Sequence, residues 1–160
     1  MSPRKLLLDS CIFIALQKKD FDEATQSAIT ALFREIDKGE VFAVVPSLVI
    51  SELLDGSYEE MMKLCDGRRA TLVDVDPHIA RLAREVRLKL IREKVPPTEP
   101  ADSIYIATAI QYKCDHLVTT DGAGKRKAST LLGCAGAVME HFKLSIVRPS
   151  DCIDQQTLGL

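Results

Sequence analysis

Residues 5–10 read Lys5-Leu6-Leu7-Leu8-Asp9-Ser10. The unbroken apolar run reads as a buried strand, and Asp9 follows it immediately. A signal-peptide reading of the same stretch fails, because Asp9 and Ser10 interrupt it and no small-residue cleavage site follows. Four more short apolar segments, rich in branched residues, occur at 41–45, 71–75, 116–120 and 144–147. Between them the period changes to that of helices. Residues 21–38 carry Ala24, Ala28, Ala31, Leu32 and Ile36 on roughly one face. Residues 77–94 turn Ile79, Leu82, Ala83, Val86 and Leu90 inward, with Arg84, Arg87 and Lys89 among the polar positions. Asp76-Pro77 reads as the N-cap and first residue of that helix. Alternating strands and helices predict an α/β fold: a mainly parallel five-stranded sheet with right-handed crossovers and helices on both faces.

The chain of 160 residues suits one domain, which the pattern places at 1–150, followed by a tail at 151–160. A hydrophobic content of 46% and a net charge of −2 exclude a disordered polyelectrolyte. No apolar run reaches the roughly twenty residues of a membrane-spanning helix. The five cysteines (Cys11, Cys65, Cys114, Cys134 and Cys152) are odd in number and contain no CxxC pair. That usage points away from a disulfide framework or a zinc site and toward a reducing cytoplasm.

In an open parallel sheet, ligands bind beyond the carboxyl ends of the strands. Asp9 follows the first strand and Asp121 follows the fourth, so both are expected on one rim. Glu52 lies a short helical stretch after the second strand. Asp102 lies in the first turn of a helix opened by Pro100, where the helix N-terminus favours an ionised carboxylate. Glu52 and Asp102 both interrupt otherwise apolar patterns. Each acid taken singly has an ordinary alternative: Asp9 as an N-cap, Asp121 as a turn residue, Asp102 as a dipole partner, Glu52 as an ion-pair member. Together they are harder to explain that way. Two ionised carboxylates about 4 Å apart repel by roughly 4 kcal/mol at an effective dielectric near 20. A hard divalent ion would relieve that repulsion, and could activate a water against a phosphodiester.

The segments Leu6-Leu7-Leu8-Asp9-Ser10, Pro46-Ser47-Leu48-Val49-Ile50-Ser51-Glu52-Leu53, Pro100-Ala101-Asp102-Ser103-Ile104-Tyr105-Ile106-Ala107 and Leu117-Val118-Thr119-Thr120-Asp121 resemble, in order and separation, the PIN-domain family, including the VapC-type toxins of bacteria and archaea. The likeness runs from about residue 5 to residue 147. It implies a three-layer α/β/α sandwich and a Mg²⁺- or Mn²⁺-dependent endoribonuclease, often a homodimer, in the role of a toxin paired with an antitoxin protein. Asp9, Glu52, Asp102 and Asp121 match the family's acidic quartet as catalytic and metal-binding residues. Ser10 and Thr119 match hydroxyl positions that orient carboxylates or water. The chain departs from the pattern at Cys11, where the family frequently has Asn, and after Asp121, where Gly122-Ala123-Gly124-Lys125-Arg126-Lys127 replaces an aromatic.

Lys125, Arg126 and Lys127 stand close behind Asp121 and are candidates for gripping RNA phosphates; a solvated helix start is the alternative. Arg68-Arg69 precedes a strand and belongs to the opposite end. No histidine pair has ligand spacing, and Cys11 lacks the partnered histidine that a thiol nucleophile needs. Two rival functions compete with the nuclease. One is a PIN-fold RNA-binding or RNA-processing component with weak or no cleavage. The other is a phosphate-accepting regulatory domain, which Asp9 without an adjacent acid fits poorly.

Overall fold

In the computed structural model, which describes residues 2–18, 21–54, 56–95, 99–121 and 130–153, strand β1 (Arg4–Leu8) lies at the centre of the sheet. It pairs in parallel with β2 (Val41–Pro46) on one side and β4 (His116–Val118) on the other. Helices cover both faces of such a strand, so consecutive side chains all need to be apolar. Leu6, Leu7 and Leu8 are accordingly all fully buried. With β3 (Ala70–Val73) beside β2 and β5 (Ser145–Val147) beside β4, the order is β3-β2-β1-β4-β5. Every neighbouring pair is parallel. The expected five-stranded sheet is present, and it is wholly parallel.

The steps from β1 to β2 to β3 run through α1 (Ser10–Lys18), α2 (Glu23–Lys38), α3 (Leu48–Glu52) and α4 (Ser57–Asp66). The chain then crosses back through α5 (Pro77–Arg92) and α6 (Pro100–Gln111) to β4, and reaches β5 through α7 (Ala135–Phe142). Right-handed crossovers in opposite directions put the two sets of helices on opposite faces, giving the three layers. The packing agrees, with α1 against α2 and α4, and α5 against α6.

Local chemistry sets the helix ends. Asp76 caps α5, its Oδ1 accepting the Ile79 N–H at 2.8 Å, and Pro77 opens the helix. Asp22 does the same for α2 through the Thr25 N–H at 2.8 Å. Gly39 ends α2 at φ +79°, a left-handed conformation open to glycine at little cost. Of the face assigned to α2, Ala28, Ala31, Leu32 and Ile36 are buried, whereas Ala24 is exposed and Ile29 takes part in the core. Strands β3 and β4 end two residues earlier than the apolar pattern suggests. Side chains intervene at both ends: the Val75 N–H turns to Ser47 Oγ at 3.3 Å, and the Asp121 N–H turns to Thr119 Oγ1 at 2.9 Å.

The packed region runs past residue 150. Helix α8 (Pro149–Cys152) lies against α2, and Cys152 and Ile153 are buried. Arg4 fastens this corner, donating to the Cys152 carbonyl oxygen and, at 2.5 Å, to Glu35 Oε2. Glu35 is only 1% exposed. Removing the guanidinium takes a direct counter-charge away from a buried carboxylate, which costs about 3–5 kcal/mol for fully buried pairs. Arg4 is itself 41% exposed. The expected destabilisation of Arg4→Ala is therefore nearer ~2–3 kcal/mol, read from urea denaturation. All five cysteines are free. No helix of the described residues is long and apolar enough to cross a membrane.

Candidate active site

The strand order reverses between β1 and β4, because the chain leaves β1 toward β2 and later returns to β1's other side. A crevice opens at such a switch point, beyond the carboxyl ends of the two strands. Asp9 follows β1 there, its N–H bonded to the Val118 carbonyl at 3.2 Å. Ser10 begins α1, Glu52 ends α3, Asp102 lies in the first turn of α6, and Asp121 follows β4. All of them line one cleft of about 450 Å³, with Cys11, Glu99, Tyr105 and Thr130.

A hydrogen-bond network fixes the two inner acids. Thr119 Oγ1 donates to Asp9 Oδ2 at 2.8 Å and accepts the Asp121 N–H at 2.9 Å, so one hydroxyl ties the two strand-end acids together. The Ser10 hydroxyl donates to Glu52 Oε2 at 2.9 Å and lies 3.2 Å from Asp9 Oδ1. Tyr105 Oη donates to the other Glu52 oxygen at 2.5 Å. The Cys11 thiol donates to Asp9 Oδ2 at 3.3 Å and accepts the Thr120 N–H at 3.2 Å. Asp121 Oδ2 in turn accepts the Leu131 N–H at 3.0 Å, holding the chain on the far side of the cleft.

The acids feel one another. Burial pushes the Asp102 carboxyl up to about 7, and the charges of Asp121, Asp9, Glu52 and Glu99 push it the same way. This reverses the expectation drawn from its place at a helix N-terminus: neighbouring carboxylates and burial outweigh a partial dipole charge. Burial also raises Asp9, against the hydrogen bonds from Thr119, Cys11 and Ser10 and with the charge of Glu52. The Cys11 thiol is held well above its ordinary range by burial and by the charge of Asp9, so it stays protonated and acts as a donor.

The sequence model of the PIN domain matches residues 6–129. The chain belongs to the PIN-domain family. PIN domains are generally nucleases. A search of curated proteins found no significant match. Among solved structures, this PIN domain is similar to a chain of VapBC2 from Rickettsia felis bound to a DNA fragment from their promoter. That likeness has a TM-score of 0.56 and 15% identity, and covers 90% of this chain and 98% of that one. It is also similar to a chain of FitAcB from Neisseria gonorrhoeae, with a TM-score of 0.56, 16% identity, and coverage of 90% and 97%. At such identities the likeness concerns the fold.

The donor set of the PIN-domain cleft suits a hard divalent cation. Five carboxylates line it, and none of its described lining residues is Lys, Arg or His. Among the described residues, however, no three His, Cys, Asp or Glu side chains are gathered as a ready-made metal cage. Mg²⁺ dehydrates reluctantly and is commonly held by one or two carboxylates, its own waters and substrate phosphates. An open acidic cleft is compatible with that kind of binding; a closed cage is not required. Asp9, Glu52, Asp102 and Asp121 are the residues that would hold such an ion.

Three lining residues escaped the sequence reading. Tyr105 is 1% exposed and stands one helical turn after Asp102, so a buried phenol on the same helix was the available signal. Glu99, at the N-cap of α6, stands one turn before Asp102, whereas Thr130 becomes a neighbour of the acids only through tertiary folding. Lys125, Arg126 and Lys127 lie outside the described residues.

Proposed function

We propose that this PIN domain is a Mg²⁺- or Mn²⁺-dependent endoribonuclease acting at the acidic cleft. The observation that carries the reading is the convergence of Asp9, Glu52, Asp102 and Asp121, from four separate segments, on one crevice whose described lining residues include no basic side chain. A bound divalent ion would acidify water and neutralise charge building on phosphate oxygens.

The chain's own residues prepare for that chemistry. Thr119, Ser10 and Cys11 fix the Asp9 carboxylate, and Ser10 with Tyr105 fixes Glu52, so neither acid needs to reorganise when positive charge enters. With its carboxyl raised to about 7, Asp102 is about half protonated at neutral pH, and a bound cation would favour its ionised form. A phosphodiester entering the cleft meets negative charge at the acids, which a bound cation would offset.

The likeness to VapC-type toxins, and the fold shared with VapBC2, support a place as the toxin of a toxin–antitoxin pair, with an antitoxin protein and a second copy of the chain as partners. The second reading, an RNA-binding PIN domain with an idle site, draws support from the lack of a preformed three-ligand cage among the described residues. The test is incubation of nuclease-free protein with structured RNA and Mn²⁺, Mg²⁺ or a chelator. The nuclease reading predicts internal cleavage only with the metal ions. RNA retained uncut in all three would favour the idle site.

A further inference from the structure

A second cavity, of about 280 Å³, opens on the same rim as the acids. Asp22, Thr25, Thr120, Arg148 and Ser150 line it. Topology accounts for the placement. Thr120 follows β4 and directly precedes Asp121, Arg148 follows β5, and Asp22 caps the start of α2. Cavity and acidic cleft are thus linked by the Thr120-Asp121 step.

The charges of this cavity differ from those of the cleft. Arg148 is exposed and makes no ion pair among the described residues. Opposite it, the Asp22 carboxylate already accepts the Thr25 N–H at 2.8 Å and the Thr25 hydroxyl at 3.2 Å. That carboxylate covers the helix end, so an anion would not bind at α2 itself. The cavity instead offers one guanidinium, one carboxylate with remaining lone pairs, and the hydroxyls of Thr25, Thr120 and Ser150. A bare phosphate would leave Asp22 repelled. A ribonucleotide fits better, because it combines an anionic phosphate with hydroxyl and base N–H donors.

We propose that this cavity is a subsite for a nucleotide of single-stranded RNA flanking the scissile bond, with Arg148 on its phosphate and Asp22 facing its donors. This rests on the RNA substrate proposed above. The physical need is plain: a cleft of five carboxylates repels a polyanion, and Arg148 supplies a cation one strand away on the same rim. Arginine offers a forked donor pair that matches phosphate oxygens.

The test is fluorescence anisotropy with labelled single-stranded RNA in chelator, where no metal-dependent cleavage intervenes. Arg148→Gln is expected to weaken binding about tenfold and to lower the salt dependence by about 0.7 in the log–log slope. Arg148→Lys should restore part of the loss. Ser150→Glu, which adds a carboxylate at an exposed position in the same cavity, should weaken binding as well, and serves should Arg148→Gln fold poorly. Arg92→Gln, at the far end of α5, is the control for general charge. Unchanged affinity in the Arg148 and Ser150 variants, an equal loss in the Arg92 control, or no RNA binding by the wild type overturns the subsite. Repeating the comparison with Mn²⁺ separates the two proposals. If no protein cuts RNA but the Arg148 effect persists, the nuclease reading fails and the cavity stands as an RNA-binding subsite without a scissile bond beside it.

Discussion

Asp9→Asn is expected to lower Mn²⁺-dependent RNA cleavage by roughly 100-fold or more while the protein stays folded. The substitution keeps the side chain's shape and one oxygen acceptor, so Thr119 retains a partner. What it removes is the charge at the centre of the network, where Thr119, Ser10 and Cys11 all converge. Burial already disfavours ionised Asp9, so a neutral amide should cost the cation-free fold little. Activity and stability therefore move independently. Single-turnover cleavage of structured RNA, paired with thermal melting of the same preparations, reads both. Equal cleavage by variant and wild type would remove Asp9 from the reaction.

Asp102→Asn is expected to make the chelated protein more stable at neutral and alkaline pH. The folded-state carboxyl titrates at about 7, above its ordinary value of 3.8. Because the folded pKa is the higher, the fold favours the protonated form. Stability is then greatest below the unfolded value, falls as pH rises between the two, and levels off above about 7. An amide cannot ionise and escapes that loss. The full conversion of the shift would exceed 4 kcal/mol, but the cleft is open to solvent, and on the order of 2 kcal/mol is a more realistic gain near pH 8. Near pH 4 variant and wild type should agree. Mn²⁺ should then raise the stability of the wild type and much less that of the variant. Urea denaturation of both proteins across this range checks each part, and other titrating groups cancel in the difference. A variant less stable than the wild type at alkaline pH in chelator would contradict the like-charge account.

The sheet was readable because burial on both faces leaves little choice of residue: Leu6-Leu7-Leu8 could serve only as an inner strand, and Asp9 marked its end. Asp76-Pro77 was readable for an equally local reason, since a cap bonds within its own first turn. The positions of Asp9 and Asp121 followed from parallel strands sharing one carboxyl rim. What escaped depends on packing between distant segments. Tyr105 reaches Glu52 only because α6 lies over the sheet beside the end of α3, and nothing in the local pattern names that partner. Asp102 was read from its helix alone, which gives a favourable dipole. Its real surroundings are four other carboxylates. Cys152 and Ile153 looked like the start of a tail because a short polar helix has little apolar pattern, yet Arg4 and α2 draw them into the core.

Calorimetric titration of the intact protein with Mn²⁺, in two buffers of different ionisation enthalpy slightly below pH 7, addresses the acidic cleft without depending on any RNA. Saturable binding with proton release, abolished or strongly weakened in both Asp9→Asn and Asp121→Asn, is the predicted result. Absence of saturable binding, or binding of equal strength in the wild type and both variants, would contradict the claim that these carboxylates form a divalent-cation site.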